Sequence, residues 1–532
     1  MKKLIQLLLV GILSVSMAAC GNTTTQDPAG DTNQDSATVY ETEVLVIGAG
    51  GAGLAAAAGA GEQGAKVIVL EAAGFAGGAA MVSGGHMAML HEEMNAAAER
   101  NDADLGKYLD YKEEDFGEWA PSLTVLKQQV TDYLASDTPG RFDSVERMIV
   151  DHYVTGKGKD LDGVEVYQNY ELVKEGLEAN WEIFEWLTSG GMQIKNSFYK
   201  VHANNPVDGG LGLANALINL AEKAGAEIVL NTTATELIME NDKAVGVKAI
   251  DKDGNEVIYR ASKGVILATG SFSSNGEMCA KYQRIGEGLT ANNPSNNVGT
   301  NKGAGILMAE AVGAELRDMQ FMMTVLRGYN GGCTLSQSGK ITGKQQLVVN
   351  SDAVRYGDET SGKFSSMTNN QEEGIAYYVG DAKMIAAIND ADAEFLESMK
   401  DRGFIFIADT LEEAATAAGL DAETLKATVE TFNSYVDAGE DKDFGRTKFN
   451  GKVEEGQYII AKMQMYYHLT YGGLVTDTEA QVLDTNGNWI NGLYAAGDVT
   501  CGFEGAAHQS GDCLSIVVYY GRVAGQNAAN SK

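Results

Sequence analysis

Three glycines and one acid carry the most specific chemistry in the chain. Gly48, Gly50 and Gly53 follow an apolar run at residues 44–47, and Glu71 closes a second apolar run at residues 67–70. This spacing suits a tight strand-to-helix turn at Gly48, close backbone approach to a pyrophosphate at Gly50, and close packing of the helix at Gly53. A helix starting there points unpaired N–H groups and a partial positive charge at the diphosphate. Glu71, eighteen residues after Gly53, stands where a carboxylate accepts hydrogen bonds from a ribose. A purely structural βαβ unit would not require all three glycines and the acid, so the constellation specifies a dinucleotide site.

Those residues need a parallel sheet behind them. An Ala-rich helix is expected between the two apolar runs. Further along, an amphipathic helix at residues 211–224 leads into a strand at 226–237, and a strand pair follows around 244–258 with Asp253-Gly254 as its turn. Residues 264–270 read as an apolar strand ending in Thr269-Gly270. Residues 492–498 read as another, ending in Gly497-Asp498 before a glycine-rich stretch and a final helix at 514–530. The fold class is α/β, a Rossmann-like dinucleotide-binding domain. A second GxGxxG in a strand context is not found, so one dinucleotide is expected.

Residues 1–19 read as a leader: Lys2 and Lys3, then an apolar stretch too short for a confident membrane span. The stretch ends in Met17-Ala18-Ala19-Cys20, which resembles a bacterial lipobox and makes Cys20 the expected lipidation site. Residues 20–37 are polar and read as a flexible tether. This places the protein outside the cytoplasm, on the outer face of the membrane, with membrane contact through the lipid alone. The net charge of −33 argues against nucleic acid and anionic membrane as partners. The remaining cysteines, Cys279, Cys333, Cys501 and Cys513, are scattered without CxxC spacing, so no metal site, iron–sulfur cluster or c-type haem is expected.

Taken in order, these motifs resemble the flavoproteins with two dinucleotide-binding motifs, and more closely the fumarate reductase and succinate dehydrogenase flavoprotein superfamily. The resemblance rests on Glu71 followed by Gly77-Gly78 and Gly84-Gly85, on Gly209-Gly210-Leu-Gly212, and on residues 268–275. It is strongest at His468-Leu-Thr-Tyr-Gly472-Gly473, at residues 492–500, and at Gly521-Arg522-Val-Ala-Gly525. The secreted soluble members that reduce fumarate or urocanate look most alike. The resemblance implies FAD, in a domain at residues 38–319 and 470–532 that is split by an α+β clamp domain at 320–469. It also implies cofactor contacts at Gly78, Gly84, Gly85, Ala234, Thr269, Gly270, Asp498, Leu514 and Ser515. Gly78 stands near the place where the respiratory members carry a covalently linked histidine, so the FAD is expected to be noncovalent.

The same resemblance names the catalytic candidates. His468 keeps the family's place ahead of Gly472-Gly473. His508 stands where relatives carry a carboxylate-binding arginine, while Lys363 is the cation nearest the place of the family's proton-donating arginine and Arg327 is a rival cation for that role. The family's Gln-x-His-Pro and Glu-x-x-Arg motifs are lost, falling on residues 323–326 and 339–342. Arg355 and Glu359 are expected to hold the clamp against the FAD domain. Tyr356, Tyr466, Tyr467 and Tyr471 surround the expected site. A dicarboxylate needs two charge-matched clamps, so fumarate is disfavoured and a bulkier, singly activated alkene is expected as substrate. Electrons would come from a separate donor such as a quinol, a flavin or an FMN protein. Two alternatives stand beside this reading: a 3-ketosteroid-dehydrogenase-like flavoenzyme, and a flavin-binding lipoprotein that carries electrons.

Overall fold

The first strand, β1 (Thr38–Ile47), shows why its sequence is a continuous apolar run. Val44, Leu45, Val46 and Ile47 are all buried, because this strand pairs in parallel on both sides and both faces of the sheet are covered. The computed structural model describes residues 37–200 and 202–532; the leader, nearly all of the tether, and with them Cys20 lie outside the described residues.

Helix α1 (Gly51–Glu62) follows β1 and returns the chain to β2 (Val67–Leu70). Helices α2 (Val145–Gly156) and α3 (Gly209–Lys223) come next. Strands β3 (Glu227–Val229), β4 (Thr233–Glu240), β5 (Lys243–Ile250) and β6 (Glu256–Leu267) then complete most of the first sheet. The chain builds a second sheet from β7 (Met322–Gly328), β8 (Leu347–Val349), β9 (Ile375–Gly380), β10 (Ile405–Ala408) and β11 (Tyr458–Thr470), with α4 (Ala422–Ala438) between the last two. It returns through β12 (Gln481–Leu483) and β13 (Trp489–Ala495) and ends in α5 (Asp512–Asn530). The first sheet has eight strands in the order β12-β13-β6-β1-β2-β3, with β5 on β6 and β4 on β5. Its central pairs are parallel, as the dinucleotide fold requires.

Two expected strands are drawn differently. The strand expected at 226–237 is split. Asn231, with φ of 54°, turns the chain, and the Asn231 and Thr232 amides donate to Ala73 O and Glu71 O. β3 therefore pairs in parallel with β2, whereas β4 folds into a hairpin with β5. The strands expected separately near 258 and at 264–267 are one strand, β6. Both halves of β6 pair with β1, and its other edge takes β5 first and β13 later.

Helix α1 is buried almost all round, and α5 crosses it at backbone contact. A Cβ on Gly521 would lie 2.4 Å from Ala52 O, and one on Gly525 would lie 2.0 Å from Ala56 O. The Ala-rich and Gly-containing sequences of the two helices are explained by this crossing. The second sheet carries an apolar core on each face. Ile459, Ala461 and Met463 point into one core, and Ile460 points into the other beneath α4. Arg355 donates to Glu359 and to Asp441, both at 2.8 Å, and Arg446 reaches Glu359 at 3.1 Å. This buried ionic cluster lies wholly within residues 355–446. It braces the inserted region internally rather than pinning it to the FAD-binding half.

Candidate active site

The glycine turn forms a cradle. Gly48 has φ of 104°, and a Cβ there would sit 2.3 Å from Ala268 O. A Cβ on Gly53 would sit 1.8 Å from Gly48 O, so Gly53 packs the helix on the turn itself rather than on the sheet. Gly50 differs: a Cβ there meets nothing within 4 Å. The space on the Cβ side of Gly50 is open, and the N-terminus of α1 opens beside it with no side-chain cap. That is the space and the donor set a pyrophosphate takes. The turn at Gly77-Gly78 lies over it, with Gly77 N–H donating to Ala49 O at 2.7 Å and a Gly78 Cβ 3.0 Å from Gly50 Cα. Glu71 is buried, and its two oxygens accept from the Ala49 and Ala73 amides at 2.8 and 2.7 Å. It thus fixes the glycine turn, with lone pairs left over for a ribose.

The other expected cofactor residues lie as follows. Gly84 lies against the His86 ring, and Gly85 against the backbone of Gly209 at the start of α3. Ala234 is buried on β4, opposite Ala249. Thr269 Oγ1 accepts from Gly305 N at 3.2 Å, and Gly270 packs on Asn301. Asp498 follows β13, is half-buried and has no hydrogen-bond partner among the described residues. Burial, with Glu504 nearby, pushes its carboxyl up to about 7. Leu514 and Ser515 sit in the first turn of α5, where Ser515 Oγ donates to Ala88 O at 3.1 Å. A carboxyl without partners and a second uncapped helix start fit the hydroxyls and polar ring edge of a dinucleotide.

The candidate histidines come from the second sheet and from the loop before α5. In the β7–β11 pair, Met323 faces Leu469 while Thr324 faces Tyr467, which leaves His468 as the extra residue of a β-bulge. Bulges re-aim side chains, and they recur beside active sites. The His468 Nδ1 lies 2.9 Å from Asn296 Oδ1, and Asn297 Nδ2 donates to His468 O. Burial, reinforced by the charge on His508, lowers the His468 pKa to about 4, so its ring is neutral at physiological pH.

His508 is opposite in character. Its Nδ1 lies 3.2 Å from both Glu504 oxygens. Burial alone would lower its pKa, but the charge and hydrogen bond of Glu504 outweigh burial and raise it. Burial likewise pushes the Glu504 carboxyl up, and His508 outweighs it and holds the carboxyl below its ordinary range. The loop carrying this pair is anchored at both ends by one buried ring: His152 on α2 reaches Phe503 O and Asp512 Oδ2. Nothing in the sequence patterns singled out Asn296, His152 or Glu504. The nearest signal was an acid four residues before His508 in a glycine-rich loop.

The remaining candidates separate. Arg327 shares the face of the second sheet that carries Tyr466. It lies opposite Gln464, its guanidinium is 5.0 Å from the Tyr466 ring centroid, and its Nε donates to Cys333 O. Its charge is also among the influences on His468. Lys363 is exposed at the N-cap of a short helix, where its own N–H donates to Ser361 Oγ. Of the four tyrosines, Tyr356 is bonded to Thr368 and stacked on Phe364, and Tyr467 is in the core and donates to Thr290 O. Both belong to packing. Tyr466 lies under Arg327, and Tyr471 is buried near Glu504.

Residues 43–514 match the FAD binding domain family. The chain belongs to this family. It is 31% identical over 519 residues to the NADH:acrylate oxidoreductase of Vibrio harveyi, covering 93% of this chain and 51% of that protein. It is 30% identical over 509 residues to the urocanate reductase of Eggerthella lenta, covering 92% and 75%. The chain thus spans about half the length of the first and three quarters of the second. An open conformation of a flavocytochrome c3 fumarate reductase superposes with a TM-score of 0.72 at 26% identity, over 92% of this chain and 78% of that one. The cofactor is FAD, and the family is one of FAD-dependent oxidoreductases with relatives acting on C=C bonds.

Proposed function

We propose that the protein is an extracytoplasmic oxidoreductase that reduces an activated C=C bond carrying a single carbonyl or carboxylate. The observation that carries this reading is the divided histidine pair, in which the charge of His508 acts on both His468 and Asp498. His468 is held neutral while Glu504 favours the charged form of His508, and titratable groups pushed apart in this way mark acid and acceptor roles. FAD, when bound, supplies the two-electron hydride chemistry. The chain's own residues supply the rest. Protonated His508 donates a hydrogen bond or a proton to the substrate, and Glu504 keeps it charged. Neutral His468, oriented by Asn296, lines the opposite wall. The urocanate and acrylate named in the two relatives are both conjugated alkenes, which supports the reaction class.

In this reading residues 320–469 form the clamp over a FAD domain at 38–319 and 470–532, and the FAD is noncovalent. Lipid on Cys20 holds the protein at the outer membrane face, and a separate quinol, flavin or FMN protein supplies electrons. The direct test is anaerobic single turnover. Dithionite-reduced holoprotein is mixed with singly activated alkenes and with fumarate, and flavin reoxidation is followed at 450 nm, roughly the oxidised-flavin band. Fast reoxidation by a singly activated alkene and slow reoxidation by fumarate is the expected result. Bound flavin that no alkene reoxidises would leave an electron-carrier role in its place.

A further inference from the structure

We propose that the unpaired guanidinium fork of Arg327, stacked on Tyr466 beside the bulged His468, is the carboxylate-binding element of the site, and that the substrate is a mono-anionic enoate. The inference rests on the reading of this site as one that reduces an activated C=C bond, and it adds the charge of the substrate and the residue that selects it.

Arg327 is half-buried and held from behind at two points. Its Nε donates to Cys333 O at 3.1 Å, and its guanidinium carbon lies over the Tyr466 ring, 5.0 Å from the centroid. Tyr466 is itself fixed, because its hydroxyl donates to Gly328 O and accepts from Gly331 N. The two terminal nitrogens of Arg327 have no hydrogen-bond or ion-pair partner among the described residues. A guanidinium stacked and oriented in this way, with its outer donors unused, is preorganised for bidentate binding of a planar carboxylate. Two other arginines of residues 320–469 are spent differently: Arg355 and Arg446 are saturated by Glu359, Asp441 and backbone carbonyls.

Counting charge decides between one carboxylate and two. When His508 is protonated, Glu504 lies against it at 3.2 Å, and that pair is neutral as a unit. The half-buried Asp498 is a further acid on that side. Of the two cations near His468, Arg327 alone offers an uncompensated charge. A second substrate carboxylate would meet a neutralised pair and lose its hydration without return. A monoanion meets one fork.

Equilibrium binding to the oxidised holoprotein tests this without turnover. Calorimetry is run with two saturated carboxylates, propanoate and 3-phenylpropanoate, with their neutral amides, and with succinate. The wild type is expected to prefer each fitting carboxylate over its amide by about 10- to 100-fold and over succinate by a similar factor. Arg327→Met should remove the preference while retaining FAD, and Arg327→Lys should restore part of it. Equal carboxylate affinity in Arg327→Met and wild type overturns the proposal, as does failure of the wild type to bind either monocarboxylate. The broader reading fails separately, if neither charged enoates nor neutral enones reoxidise the reduced flavin.

Discussion

His468 and Asn296 meet side chain to side chain at 2.9 Å, 172 residues apart in the chain, and this contact aims the bulged ring of β11. With the Asn296 oxygen facing Nδ1, that nitrogen carries the proton and Nε2 is left as an acceptor. Asn296→Ala should lower kcat by about tenfold with FAD content unchanged, because a misaimed group loses orientation rather than chemistry. Asn296→Asp should lift the His468 pKa from about 4 by placing a carboxylate beside the ring. The pH profile of kcat/KM then gains a new limb, and an unaltered profile would refute the contact's role.

Gly50 separates cofactor binding from folding. Its φ of −83° is open to any residue, and a Cβ there touches no protein atom. Gly50→Val should therefore fold with a wild-type far-UV spectrum yet purify without flavin, since the branched side chain fills the diphosphate's place. Gly53→Ala should instead disturb the fold, because its Cβ would strike Gly48 O at 1.8 Å. A yellow Gly50→Val protein would contradict the assignment of the cradle.

The Glu504–His508 pair predicts the alkaline limit of activity. The pKa of His508 is raised above the ordinary histidine value, so the charged form persists to higher pH than in an ordinary histidine and is lost as pH rises through the raised pKa. Glu504→Gln removes the larger raising influence and should shift that limb of the kcat/KM profile to lower pH. A limb that stays in place would assign it to another group.

A third histidine is structural. His202 contacts Asp143 at 2.8 Å and Asp151 at 3.1 Å, and Tyr108 donates to the same Asp151. Burial would lower its pKa, but the two carboxylates win and raise it to about 10. Its stabilising contribution is complete below the unfolded value near 6.5 and is lost as pH rises through about 10. His202→Asn removes the shared cation from Asp143 and Asp151, which keep Arg141, Arg147 and Lys107 nearby, and should cost about 1–3 kcal/mol in urea unfolding. A loss under ~1 kcal/mol would mean that solvent already screens the cluster.

Lipidation at Cys20 is tested by fractionation. Cys20→Ala should move the protein from the membrane fraction to the medium or stall its processing. Wild-type protein found wholly soluble and cleaved elsewhere would reject the anchor.

The dinucleotide half was largely legible because its constraints are local. Gly48, Gly50, Gly53 and Glu71 lie within one βαβ unit, and each has a steric or hydrogen-bonding reason visible from spacing alone. The break at Asn231 was missed because a single left-handed residue leaves no trace in an apolar pattern. The histidine environments were not legible either. Asn296 reaches His468 across a sheet, and His152 reaches Phe503 from 351 residues away, so no local pattern records either partner. Tyr356 and Tyr467 also turn away from the site: strand alternation puts Tyr467 in the core, and Tyr356, in a loop, packs on Phe364.

The crossing of α1 and α5 sets an order of assembly. Arg522 on α5 bonds Glu62 at the end of α1 across 460 residues of chain, and Gly521 and Gly525 let the two backbones meet. Until α5 has emerged, the alanine face of α1 that it packs on is uncovered. A closure spanning almost the whole polypeptide forms slowly and late. Removal of α5 would therefore expose α1, and the chain acquires a finished nucleotide cradle only once α5 has been made.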